Sequence, residues 1–149
     1  MGENNRRPVI AGNWKMYKTI AETEAYFSEI APMIAGISHC DMVIAPPFTA
    51  LRLAAELGKP MGIVISAQDL YWEREGAWTG EVSAGMIRDA GCRFTLIGHS
   101  ERRQFFGETD AGVSKKIRAA LEAGLSAIVC VGETLSEREA GQTEMVIER

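Results

Sequence analysis

Asn13, Lys15, His99, Ser100 and Glu101 are the residues of this chain best suited to chemistry, and they cluster where two apolar runs end. Asn13 and Lys15 lie two apart in VIAGNWK, so an extended backbone points both side chains to the same face. A lysine facing inward there is costly unless an anion or a carboxylate meets it. Two partners fit: a substrate anion such as phosphate, or a structural ion pair with Glu133 or Glu101. His99, one of two histidines, closes the apolar run FTLIG and opens the charged turn His-Ser-Glu-Arg-Arg. Where that turn begins a helix, the helix N-terminus disfavours a protonated ring. A neutral imidazole polarises a carbonyl or moves a proton between oxygens. The plainer alternative is a buried histidine satisfied by backbone.

Ser100 reads as the cap of the same turn. A Ser–His nucleophile pair is disfavoured, because adjacent side chains rarely aim at each other and no oxyanion motif accompanies them. Glu101, Arg102, Arg103 and Glu108 read as an ion-pair cluster with a structural role. Glu133 ends SAIVCVGE and is a possible base by position alone. Cys130 in the same run reads as a small buried hydrophobe rather than a nucleophile.

These groups need a scaffold that delivers them to one place. Five apolar runs recur: PVIAGNW, DMVIAP, GIVISA, FTLIG and SAIVCVG. Each is almost continuously apolar, as expected for strands covered on both faces. Helical patterns separate most of them. Ile20, Phe27, Ile30 and Ile34 share one helical face, and Thr19 with Glu22 forms a capping box ahead of it. Val113, Ile117, Ala120 and Leu121 form a second stripe, which Gly124 is placed to end. Thr134 with Glu137 is a second capping box. Alternating strands and helices predict βαβ units, a parallel sheet, and active groups at the strand tips. The connection from Gln68 to Glu81 is long and carries Tyr71, Trp72 and Trp78. Three large aromatics are costly to leave in water. The loop either inserts into a partner subunit or folds back on its own domain.

Composition narrows the function classes. Sixteen basic and twenty acidic residues give a net charge of −4, which argues against nucleic acid as the main partner. No stretch approaches the roughly 18 apolar residues of a membrane span, and the N-terminus MGENNRRP has no apolar signal core. Cys40, Cys92 and Cys130 are odd in number and far apart, so neither a disulfide framework nor a metal site is expected, and a reducing cytoplasm is the default location. No phosphate-binding P-loop or complete dinucleotide fingerprint follows a strand, and no cofactor is called for. The 149 residues suit one domain, 1–149, with no linker-like stretch.

AGNWKM at 11–16, AWTGEVSAGM at 77–86, IGHSERR at 97–103 and CVGE at 130–133 resemble, in this order, the triosephosphate isomerase family. The resemblance covers essentially the whole chain. It implies a parallel (β/α) barrel of the α/β class, and interconversion of dihydroxyacetone phosphate with glyceraldehyde 3-phosphate. By motif position, Lys15 holds the substrate and neutralises developing charge, Asn13 helps bind it, and His99 is the electrophile that polarises the carbonyl. Ser100 and Glu101 are supporting residues. Thr79 is the tip of an intersubunit loop, Glu81 with Arg102 bridges the dimer interface, and Arg103 with Glu108 bridges within one subunit. Such a barrel uses eight units and about 250 residues. This chain offers five, so a partial barrel is expected. The family's base, a glutamate on the sixth unit, its lid and its later phosphate loops match no segment of it. Self-association through loop 68–81 and the open strand edges is expected to cover what that leaves exposed.

Overall fold

The computed structural model describes residues 6–148. The first five residues, part of the N-terminal segment read above, lie outside the described range, as does Arg149. Five strands form one parallel sheet: β1 (Val9–Asn13), β2 (Asp41–Ala45), β3 (Ile63–Ala67), β4 (Phe94–Ile97) and β5 (Ser126–Val129). All five lie within the apolar runs. Their order in the sheet is their order in the chain. The helices are α1 (Ile20–Ile34), α2 (Leu51–Gly58), α3 (Ala84–Asp89), α4 (Ser100–Phe106), α5 (Asp110–Glu122), α6 (Leu135–Glu139) and α7 (Thr143–Glu148).

Local sequence explains the helix ends. The Thr19 hydroxyl accepts from the Glu22 amide, and the Glu22 carboxylate accepts from the Thr19 amide at 2.7 Å. Thr134 and Glu137 repeat this box at α6. Each box satisfies amides that the first helical turn leaves unpaired. Gly124, at φ 76°, takes the left-handed conformation just past α5, as its placement implied. Gly98 is the more constrained glycine. Its φ is also 76°, and a Cβ there would lie 3.1 Å from Arg103 Nη2 and from Val113 Cγ2. The chain can turn sharply between β4 and His99 only without a side chain.

The core lies between one face of the sheet and the helices. Phe27 of α1, Leu51 and Ala54 of α2, and Ile87 of α3 pack against Ile44, Ile63, Ile65 and Ile97. The opposite face curves. Residues from all five strands, among them Ala11, Val43, Ser66, Leu96 and Ile128, line a single hollow of about 210 Å³.

Coverage on both faces gives way at β1 and β5, the open edges expected of a five-unit partial barrel. β3 is buried almost throughout, but Val9 and Ile10 of β1 are 54% and 64% exposed, and Val129 of β5 is 40% exposed. Each edge strand has a neighbour on one side only. The helical stripe of α5 differs from expectation. Val113, Lys116 and Ala120 are buried, while Leu121 faces solvent. Among the described residues all three cysteines are free thiols, and burial pushes the Cys92 thiol up to about 12. Among those residues no helix is long and apolar enough to cross a membrane.

Candidate active site

The C-terminal ends of β1 and β4 bring Asn13, Lys15, His99 and Glu101 to one cleft of about 470 Å³, together with Gln68, Asp69 and Arg102. Lys15 donates to Glu101 at 2.6 Å, across 86 residues of sequence. Of the alternatives for this lysine, the free chain therefore holds the ion pair with Glu101. The hydrogen bond from Lys15, helped by the charge of its ammonium, holds the Glu101 carboxyl below the ordinary glutamate value. The Lys15 side chain is half exposed, so its ammonium also faces the cleft.

His99 is itself the cap of α4. Its backbone is non-helical (φ −55°, ψ 140°), and its Nδ1 accepts the Glu101 amide at 3.2 Å. Ser100 is the first helical residue, not the cap expected for it, because the helix begins one residue earlier: the Arg102 and Arg103 amides both donate to the His99 carbonyl. A nitrogen accepting an N–H carries no proton, so the neutral ring bears its hydrogen on Nε2. That leaves a donor on the side of the ring away from Glu101.

The backbone of Lys15 is left-handed, at φ 55°. A non-glycine residue in such a conformation costs about 1–3 kcal/mol and persists only where its surroundings enforce it. Three contacts do so. The Lys15 amide donates to Asn13 Oδ1 at 2.9 Å, and Gln68 Nε2 donates to the carbonyls of Lys15 and Ala45, both at 2.8 Å. Hydrogen bonds of this kind contribute about 0.5–1.5 kcal/mol each, enough to offset the strain. Asn13 thus acts on the lysine backbone as well as lining the cleft. Gln68 was not foreseen. The signal for it was the one that marked Asn13 and His99: a polar residue directly at the end of an apolar run.

Behind the cleft lies a buried ionic cluster. Lys116 bonds Asp69 at 2.6 Å and also bonds Glu108, and all three side chains are under 8% exposed. Arg102 Nε lies 2.8 Å from Asp69 and 3.8 Å from Glu108. Two carboxylates thus face two cations. Burial pushes the Asp69 carboxyl up, while Lys116 and Arg102 oppose that shift. The expected pairing of Arg103 with Glu108 does not occur. Arg103 binds the Gly98 carbonyl at 2.9 Å and Asp110 at 2.6 Å. Successive helical residues point about 100° apart, so Arg102 and Arg103 leave α4 in different directions, and Glu108 falls on the Arg102 side.

Several sequence candidates stay outside the cleft. Glu133 is drawn toward α6 and α7, accepting from Thr143 at 3.2 Å and pairing with Arg138 at 3.2 Å. It does not face Lys15 or line the cleft with His99. Thr79 and Glu81 lie on the aromatic loop, whose base is closed by the Tyr71 amide bonding the Val82 carbonyl. Its rings meet one another: Tyr71 stacks on Trp72 at 4.3 Å and meets Trp78 at 4.9 Å, and Lys115 of α5 sits 4.9 Å from the Trp72 centroid. Trp78 is still 47% exposed. Glu81 and Arg102 share a small hollow of about 190 Å³ beside that loop. Among the described residues, no group of three or more potential metal ligands is assembled.

A curled parallel sheet with its polar groups gathered at the strand tips defines part of a (β/α) barrel, with a cleft at the end of the sheet where such barrels place their active sites. The sequence profile of triosephosphate isomerase matches residues 8–149, and the chain belongs to that family. It is 50% identical over 143 residues to a triosephosphate isomerase of Trichlorobacter lovleyi and 54% identical over 144 residues to one of Pelobacter propionicus. These matches cover 96% and 97% of this chain and 57% of each relative, so the chain spans a little over half their length. A solved triosephosphate isomerase from Bartonella henselae superposes with a TM-score of 0.89 at 40% identity, over 97% of this chain and 60% of that one. The five strands are thus a curled half-barrel of this fold.

Proposed function

We propose that the cleft is the substrate-binding and electrophilic half of a triosephosphate isomerase site, acting on dihydroxyacetone phosphate and glyceraldehyde 3-phosphate. The observation that carries this reading is the convergence of Lys15, Asn13 and His99 on one cleft from strands far apart in sequence. The Lys15 ammonium attracts the phosphate dianion and the oxyanion that develops at the substrate carbonyl. The Nε2 hydrogen of His99 donates to the carbonyl oxygen and stabilises the enediolate. Such preorganised charges and donors act where charge develops, so they favour the transition state over the bound substrate. Glu101 holds both groups: its carboxylate orients the ammonium and its amide fixes the ring tautomer.

Proton abstraction from carbon needs a free base within hydrogen-bond reach. Among the described residues lining the cleft, the carboxylates are Glu101 and Asp69, and both are ion-paired. The 149-residue chain is therefore expected to bind triose phosphate without turning it over appreciably. Binding of dihydroxyacetone phosphate that is lost in Lys15→Met supports the reading, and equal binding by both proteins sinks it. Isomerase turnover that vanishes in His99→Gln would show instead that a base is supplied within this chain or its assembly.

A second reading is favoured by the exposed strands β1 and β5: the chain is a non-catalytic unit that self-associates and at most binds small anions. Homo-oligomerisation through the edges and loop 68–81, with Thr79 at its tip and Glu81 reaching Arg102 of another copy, is compatible with either reading.

A further inference from the structure

Lys15 belongs to a five-residue loop, 14–18, between β1 and the cap of α1. Two of its residues are left-handed, Lys15 at φ 55° and Lys18 at φ 76°. Glycine adopts that conformation freely and lysine does not. The loop tip has little to lean on, since Met16 is 94% exposed and Tyr17 73%. Gln68 secures the Lys15 carbonyl on one side. The other side is held differently. The Lys18 ammonium lies 5.4 Å from the Trp14 centroid and 5.2 Å from that of Tyr26, and the two rings meet edge-to-face at 4.9 Å. Trp14 and Lys18 are the first and last residues of the loop, so their contact closes it at the base, while Tyr26 fastens the closure to α1.

We propose that Lys18 is a positioning residue for Lys15. Its cation, seated between two rings, keeps the loop in the strained form that aims the Lys15 ammonium into the cleft. The proposal rests on the reading of Lys15 as the anion-binding group. Lys18 itself touches no substrate in this scheme.

The test uses the 149-residue chain and two NMR readouts. One is hydrogen exchange at the Lys15 amide, which donates to Asn13 Oδ1. The other is titration with inorganic phosphate. Lys18→Met keeps the stem and removes the charge, while Lys18→Arg keeps a cation able to stack on aromatic rings. Two cation–π contacts correspond to a factor of about 5–30 in the loop equilibrium. In Lys18→Met, exchange should quicken and phosphate binding weaken by that factor, with the amides of β4 unchanged. Lys18→Arg should restore both. Should Lys18→Met fold poorly, Lys18→Gly takes the left-handed backbone without strain, lacks the cation, and should show the same loosening. Unchanged exchange at Lys15 overturns the proposal. So does faster exchange with undiminished phosphate affinity, and so does equal loosening of β4, which would make Lys18 a general stabiliser. Absence of phosphate binding to the unaltered chain sinks the anion role of Lys15 instead, and the loop closure is then decided by the exchange rates alone.

Discussion

The Lys15–Glu101 pair makes a prediction at the scale of one carboxyl group. Glu101 is held below its ordinary value of 4.5 chiefly by the hydrogen bond from Lys15. A depressed carboxyl contributes to stability above its ordinary value, and the contribution is lost as pH falls through the depressed one. The Glu101 side-chain carbon followed by NMR should therefore titrate with a midpoint below 4.5, and Lys15→Met should move the midpoint back up. A midpoint at or above 4.5 in the unaltered chain would contradict the pairing. Much of this residue-scale detail was legible in the sequence. Asn13, Lys15 and His99 stood out because polar groups at the ends of apolar runs need a reason to be there. The tautomer of His99 was not legible, since it depends on which amide the ring meets. Nor were the partners of Arg103, since the direction in which a side chain leaves a short helix depends on where that helix begins.

Helix α5 shows why element-scale reading stops short. A charged residue is assigned to the solvent face unless its partners are known, and the partners of Lys116 are Asp69 and Glu108, 47 and 8 residues away. The helix thus buries Val113, Lys116 and Ala120 and releases Leu121 to water. The strands and capping boxes were legible because continuous apolar runs and Thr-x-x-Glu spacings are local signals. A pairing between distant segments is not. Removing one member of a buried ionic group leaves an uncompensated charge, at a cost of about 3–5 kcal/mol. Lys116→Met should lower the stability of the chain by that amount in urea titrations, since it strands two carboxylates with Arg102 alone. A change below about 1 kcal/mol would mean that water reaches the cluster and screens it.

For the molecule as a whole, the open edges matter most. Val9, Ile10 and Val129 on the edge strands, and Val131 just beyond β5, expose apolar side chains beside unpaired backbone. Covering a Val or Ile side chain fully is worth about 1.5–3 kcal/mol, so a partner surface that buries several of them is strongly favoured. Light scattering at micromolar concentration should give a mass above the 16.3 kDa of one chain. A monodisperse monomer would show that these edges are tolerated in water. The partial barrel was foreseen from five strand-like runs and four ordered motifs, whereas the assembly that covers it is a property of surfaces and needs this measurement.

The agreement of sheet order with chain order also bears on how the protein is made. Each strand after the first pairs with the one synthesised just before it. As the chain leaves the ribosome, every new strand meets an edge already in place, and the loops to be closed stay short. The nascent sheet therefore grows at one edge while the β1 edge stays open, so a chaperone meets one fixed apolar surface and one that moves from strand to strand.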